Sequence, residues 1–361
     1  MWKWRHKHRR LGHGDRRCYV RRVTNELASE DGLRLAVLMA GEVHAVRIDE
    51  GALTLHALTP KGEAKVALNP NCRRETYLTC VRELLGGHAL GSPGGYPVHL
   101  RHWTRMGQAS PKNLEALLKL GEPEAVAAVA YAPGLTDELA RRVWWASPTV
   151  EIAQVMLAHA GVRAGAMGRV LAAFLVEHLP FEPDAIAAMN IVRTVLAADL
   201  LDEDTRVSLW QKARRRPHYL VGFLESLPDK LPDDGPALHL SIEVDAENPW
   251  AVQLARCCSA SGQTWLKAME LALDKAPAHE AVYLLLDLIG RYFAPVRDTA
   301  GREALPAAEA GAMAALALVS NHDAEAILVR TTAVGPLLRR KLEPLVAPLL
   351  AHLRTLQGKQ T

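Results

Sequence analysis

Apolar positions recur along this chain with two different periods, and the change from one to the other divides it. Residues 25–41 read as a helix, with Leu33, Leu35, Val37 and Leu38 as its apolar positions and Gly41 as its stop. Three short strand signals follow. His44–Ile48 and Ala52–Leu58 flank Asp49-Glu50-Gly51, where Gly51 suits the left-handed conformation of a hairpin loop. Thr59-Pro60-Lys61-Gly62 is the next turn, after which Ala64, Val66 and Leu68 alternate with polar or small residues. Asn69-Pro70-Asn71 ends the meander, and a second helix over about Arg73–Leu85 places Tyr77, Val81, Leu84 and Leu85 on one face. This is a small α+β unit of helix, three-stranded meander and helix.

A long connection over 86–108 leads into a pattern that is helical from Ser110 onward. Ser110-Pro111 and Ser147-Pro148 each place a capping hydroxyl before a proline suited to the first helical position. Leu114, Leu117 and Leu118 recur at helical spacing, as do Leu139 and Val143, then Val170, Phe174 and Leu175. Breakers at Gly121, Gly134, Ser147-Pro148 and Leu179-Pro180 cut the run into helices of about 10–14 residues. Leu227-Pro-Asp-Lys-Leu-Pro-Asp-Asp-Gly-Pro236 reads as a linker, and Leu238, Leu240, Ile242 and Val244 alternate after it like a lone strand or an extended lead-in. The remainder predicts helices over Ala251–Ser259, Thr264–Leu273, Glu280–Phe293, Ala307–Val319, Ala324–Thr331 and Leu337–Leu356. The expected fold is mainly α, an irregular HEAT-like helical array with a small N-terminal α+β unit. The expected divisions are a basic disordered tail at 1–23, the α+β domain at 24–108, a helical array at 109–227, a linker at 228–236 and a C-terminal helical domain at 237–361.

Composition adds little to that picture, but charge corrects one impression. The 361 residues carry a formal net charge of +3. Residues 1–22 hold nine Lys and Arg against Asp15 alone, so the rest of the chain is −5. The overall basic balance is therefore a property of the tail and no argument for nucleic-acid binding by the body. The tail itself reads as a disordered end, as residues added by an upstream start codon, or as a basic arm. In the last case Trp2 and Trp4 stack on bases, or His6, His8, His13 and Cys18 catch a metal. The polar run from Thr24 to Asp31 follows it where a secretory signal needs an apolar stretch, and nothing approaches a membrane span. A cytoplasmic location is expected.

Five cysteines without a Cys-x-x-Cys pair suggest no disulfide framework. Cys257 and Cys258 are adjacent on an expected helix, where their side chains diverge by about 100°. Small buried hydrophobes are the plain reading of Cys72, Cys80, Cys257 and Cys258; a persulfide-bearing or redox thiol is the other.

The polar clusters divide in the same way. Gly91-Ser-Pro-Gly-Gly-Tyr-Pro97 lacks the Gly-Lys-Ser/Thr ending of a phosphate loop, and its prolines remove N–H donors that such a loop needs. Within His99–Arg105, His99 and His102 have no third ligand nearby in sequence. Arg101, Trp103 and Arg105 fit either an anion or base contact or a pinned domain junction. Trp144 and Trp145 lie side by side on a helix and fit either core packing or a partner-binding surface that includes Trp103. Lys212, Arg214, Arg215 and Arg216, between Trp210 and Tyr219, form the strongest nucleic-acid candidate of the body; equally, they suit the negative end of a helix dipole. Arg339-Arg340-Lys341 carries the same two readings. There is no Gly-x-Ser-x-Gly and no His-Glu-x-x-His, since Tyr283 stands where the second histidine belongs, and Asp202 and Asp204 suit a helix start. No catalytic residue, metal or cofactor is expected.

Leu90-Gly-Ser-Pro-Gly-Gly-Tyr-Pro-Val-His-Leu-Arg-His-Trp-Thr-Arg-Met-Gly-Gln108 resembles the DsrS family of dissimilatory sulfur-oxidising bacteria. Gly121-Glu-Pro-Glu-Ala-Val126, Gly134-Leu-Thr-Asp-Glu-Leu-Ala-Arg-Arg-Val-Trp-Trp-Ala146 and Phe174-Leu-Val-Glu-His-Leu-Pro-Phe181 carry the same resemblance, which spans about residues 31–230. It implies a cytoplasmic protein, with no established catalytic residues, in a supporting or regulatory role beside the reverse-acting dissimilatory sulfite reductase. The expectation is a non-enzymatic accessory protein that binds proteins of the sulfur-oxidation pathway. The alternative is an RNA-binding regulator of sulfur-oxidation genes, and a cysteine-based enzyme or sulfur carrier ranks third.

Overall fold

The structure, a computed structural model, describes residues 27–90, 111–232, 235–239 and 245–359. The chain divides into two compact units, Met1–Gly168 and Arg169–Thr361.

The first unit begins with α1 (Ser29–Ala40), β1 (Ala45–Asp49), β2 (Thr54–Thr59), β3 (Gly62–Ala67) and α2 (Arg74–Leu90). The strands form an antiparallel meander in the order β1-β2-β3, an open sheet. Register pairs Val46 with Ala57, Ile48 with Leu55 and Leu55 with Val66, so strand alternation places these residues on one face. That face packs with Leu35, Tyr77, Val81 and Leu85 into one core. The other face carries Arg47, His56 and Lys65, aligned across the three strands.

Buried Asp31 fastens this unit together. Its carboxylate accepts the backbone N–H of Asn69 at 2.6 Å, the Asn69 side-chain amide at 3.0 Å and the Tyr77 hydroxyl. Burial alone would raise its pKa; the hydrogen bonds from Asn69 and Tyr77 outweigh burial and hold it below the usual value. The same network explains why α1 departs from its sequence pattern. Asp31 and Leu35 face inward, while Leu33 and Val37 are exposed.

Two further local expectations change. Gly51 does not adopt a left-handed conformation; Leu53 does, at φ 50°, while the Asp49 carboxylate accepts the N–H of Ala52 within the loop. Helix α2 runs on through Gly86 and Gly87 to Leu90, five residues past the expected end, with Gly86 buried. The sheet edge at β1 is met by the chain beyond: Val46 N–H donates to the Leu118 carbonyl at 2.8 Å.

Helices α3 (Pro111–Leu117), α4 (Pro123–Ala130), α5 (Asp137–Ala146), α6 (Val150–Leu157) and the single turn α7 (Ala160–Arg163) complete the unit, with α4 packed against both α5 and α6. Ser147 proves to be the end of α5, and Thr149 rather than Ser147 caps α6, its hydroxyl accepting from Ile152 N–H at 3.3 Å. Pro148 thus precedes the cap.

Helix α8 (Ala166–His178) carries the boundary between the units. The second unit continues with α9 (Ala185–Ala197), α10 (Glu203–Ala213), α11 (Leu220–Ser226), α12 (Pro249–Cys258), α13 (Ala260–Asp274), α14 (His279–Tyr292), α15 (Ala307–Ala317), α16 (His322–Leu328) and α17 (Gly335–Leu356). Side-chain caps account for many starts: Asp184 for α9, Asp202 for α10, Asn248 for α12 and Ser259 for α13. Asp202 therefore has the helix-start role expected of it. Helix α11 packs against α9 and α13, and α17 against α13 and α15, around fully buried Tyr219, Phe223, Trp265 and Phe293.

The stretch expected as a linker is fastened at several points. Asp229 pairs with Arg256, Gly235 N–H donates to the Thr264 hydroxyl at 2.6 Å, and Leu238 N–H donates to the Cys258 carbonyl at 2.8 Å. The alternating positions 240–244 lie outside the described residues. Helix α17 runs unbroken through Pro344 and Pro348, both on its exposed side, where the carbonyls that proline leaves unpaired can meet water.

Candidate functional site

Helix α5 holds the tryptophan pair. Its N-cap, Thr136, accepts from Leu139 N–H at 3.2 Å, and buried Leu139, Ala140 and Val143 fix its inward face. Trp144 and Trp145 are both half-buried. The Arg47 guanidinium lies 4.8 Å from the centre of the Trp145 ring, and its Nη1 donates to the Trp145 carbonyl at 3.3 Å. Arg47 also reaches Glu63 at 3.4 Å, and Glu63 receives a hydrogen bond from His56. That bond first, then the Arg47 charge and the Trp145 side chain, holds the Glu63 carboxyl below its ordinary range. On the same helix Arg141 and Arg142 both bind Glu138 at 2.8 Å, which brings its carboxyl down to about 2. These arginines are thus internally paired.

The basic run divides as well. Lys212 lies in the last turn of α10, and the Lys212 carbonyl accepts the N–H groups of Arg215 and Arg216, so the run closes the C-terminal end of that helix. Lys212, Arg214, Arg215 and Arg216 are all exposed. Arg216 turns back, donating to the Tyr219 hydroxyl at 2.8 Å and to the Leu179 carbonyl at 3.4 Å. Arg101, Trp103 and Arg105, the Gly-rich stretch 91–97 and the basic tail lie outside the described residues.

Cys257 and Cys258 are poorly placed for thiol chemistry. Cys257 is fully buried, and burial first, then the neighbouring Cys258, pushes its thiol up to about 12. Cys258 is half-buried and raised in the same direction by burial. Cys80 is buried and Cys72 exposed. Nucleophilic sulfur requires thiolate, which burial of this kind suppresses.

Two surface features of the second unit went unseen in the sequence. One is a cleft of about 710 Å³ between α9, α10 and α11, lined by Arg193, Leu196, Asp199, Arg206, Glu225 and Lys230 among others. Its charges are largely paired: Arg193 grips Glu225 at 2.6 and 3.1 Å, and Arg206 bridges Asp199 and Glu203. The hydrogen bond from Arg193 is the leading cause of the lowered Glu225 pKa. The other is an apolar group where α16 passes into α17. Val329, Val334 and Leu337 are 76%, 64% and 57% exposed within nine residues of chain. They follow no helical or strand period because they straddle a helix end, a loop and a helix start.

Among the described residues no group of three or more His, Cys, Asp or Glu is placed to hold a metal ion, and no helix is long and apolar enough to cross a membrane. No family model, no curated protein and no solved structure matches the chain.

Proposed function

We propose that the chain is a non-enzymatic accessory or regulatory protein that acts through protein–protein contacts of its helical array. The observation that carries this reading is the exposure of Val329, Val334 and Leu337, close along the chain to one another and to exposed Arg330 and Arg340. Water-exposed aliphatic side chains grouped together with a polar rim have the anatomy of a contact surface. The tryptophan pair is a weaker candidate for that surface, since Arg47 already covers the Trp145 ring. The sequence resemblance nominates the partners: cytoplasmic proteins of dissimilatory sulfur oxidation, the reverse-acting sulfite reductase first.

The test is retention of purified proteins of that pathway on the immobilised full chain. A V329E/L337E double variant with an unchanged circular dichroism spectrum is expected to lose at least tenfold in affinity. Equal binding by the folded double variant, or none by the wild type, overturns the reading.

RNA binding is the second reading, favoured by the exposed Lys212, Arg214 and Arg215. A chain beginning at Thr24 removes the tail's contribution. Binding that steepens as salt falls, and weakens on K212E/R215E substitution, supports RNA recognition by this run. No binding at about 50 mM salt ends it.

A further inference from the structure

The two edges of the N-terminal sheet differ. At β1 the chain itself supplies the next hydrogen bond, from Val46 N–H to the Leu118 carbonyl. At β3 no described residue does so, and β2 is its one neighbouring strand among the described residues.

The register says which groups face that open edge. Leu68 N–H donates to the Leu53 carbonyl at 2.8 Å. Bonded pairs alternate along an antiparallel ladder, so Val66, Ala64 and Gly62 exchange bonds with Leu55, Ala57 and Thr59. The N–H and C=O groups of Glu63, Lys65 and Ala67 therefore point away from β2. All three residues are exposed. An open row of this kind is a template for another strand.

Charge selects the strand. Glu63 and Lys65 lie two residues apart, on the polar face with Arg47 and His56. Lys65 has no ion-pair partner among the described residues. His56 and Arg47 both reach Glu63 through Oε1, and a carboxylate has further acceptor positions to offer. A second β3 running antiparallel must set outward residues against outward residues. Three such alignments oppose the charged residues to one another. Two of them set like against like, Glu63 to Glu63 or Lys65 to Lys65, which is destabilising. The third sets each Glu63 opposite the Lys65 of the other copy, twice over by symmetry. Its two-fold axis passes between the two copies of Ala64, a pair without mutual hydrogen bonds, where side chains come closest and alanine fits. A lysine on an edge ordinarily wards off other strands. Here a glutamate two residues before it makes the same charge a key to one register.

We infer that a second copy of this chain pairs with the first along β3, antiparallel, with Glu63 of each copy opposite Lys65 of the other, so that one sheet runs through both. The pairing does not involve the apolar surface at the start of α17, and partner capture there can fail while this contact holds.

Sedimentation of the full chain over a wide range of concentration tests it, with cross-linking to read the register. A reversible monomer–dimer equilibrium is expected. In a mixture of light and isotopically heavy protein, a carbodiimide should join Lys65 of one copy to Glu63 of the other. K65E alters a side chain without an ion-pair partner and is expected to weaken the dimer at least tenfold with an unchanged circular dichroism spectrum. An equimolar mixture of folded K65E and E63K is expected to dimerise at least tenfold more tightly than either variant alone, because every facing pair is then of opposite sign. A chain that stays monomeric, leaving the edge to an extended segment of another protein, overturns the inference. So does a dimer that K65E leaves intact, one whose cross-links join other residues, or a mixture of folded variants that associates no better than its components.

Discussion

The Trp145 ring lies under the Arg47 guanidinium, 4.8 Å from its centre, while the Trp145 carbonyl accepts a hydrogen bond from the same group. A residue of the β1 strand is thereby clamped to α5, 98 positions along the chain. Half-exposed cation–π pairs contribute about 0.5–1 kcal/mol. Arg47→Ala and Trp145→Phe should each destabilise the protein, and a double-mutant cycle followed by urea unfolding should return a coupling of about that size. Additive effects would mean that the two side chains do not support one another.

Asp31 gives the α+β unit an acid-sensitive fastening. Its folded pKa lies below the ordinary aspartate value, because the bonds from Asn69 and Tyr77 outweigh burial. Its contribution is therefore fully present above the unfolded pKa and is lost as pH falls through the folded one. Tyr77→Phe should cost about 1–2 kcal/mol and Asp31→Ala about 3 kcal/mol, since removing the carboxylate strands the buried Tyr77 hydroxyl and the Asn69 donors. Urea melts at pH 7 and pH 3 should show the D31A penalty shrinking at the lower pH.

His218 acts in a higher pH window. Burial first, then the Arg216 charge, pushes its imidazole down from 6.5 to about 4, against an opposing pull from Asp184. Between those two values the unfolded chain binds one more proton than the folded one, so stability falls as pH drops from about 6.5 toward 4. His218→Gln should flatten that part of the stability profile. Proton NMR of the native protein should show this imidazole still neutral at pH 5.5; a midpoint near 6.5 would contradict the buried placement.

The cysteines should separate by reactivity. Peptide-resolved alkylation of native protein at pH 8 should modify exposed Cys72 first and Cys258 more slowly. Buried Cys80 and Cys257 should react only after denaturant is added. Polysulfide should likewise leave Cys257 unmodified in the folded protein. Labelling of Cys257 as fast as Cys72 would show that α12 opens readily and would restore a sulfur-carrying role to consideration.

Much of the architecture was legible before any coordinates. The six C-terminal helices lie where apolar spacing places them, within four residues at each end. The meander has its expected strands, and Tyr77, Val81, Leu84 and Leu85 are buried on one face of α2 as their spacing requires. These features depend on residues within a turn or two of one another, where periodicity, capping and turn chemistry act.

What remained illegible depends on partners remote in sequence. Nothing within α1 says that Asp31 will be covered and Leu33 exposed; the hydrogen bonds from Asn69 and Tyr77 decide it. Nothing within the basic run says that Arg216 will bond the Tyr219 hydroxyl and the Leu179 carbonyl. The stacking of Trp265 on Tyr292, with the Arg256 guanidinium against the same ring, arises only when α12, α13 and α14 pack together. Local sequence therefore determined which segments coil, pair and turn. Tertiary packing alone decided which faces lost water, and with them which polar groups found partners and which apolar ones were left exposed.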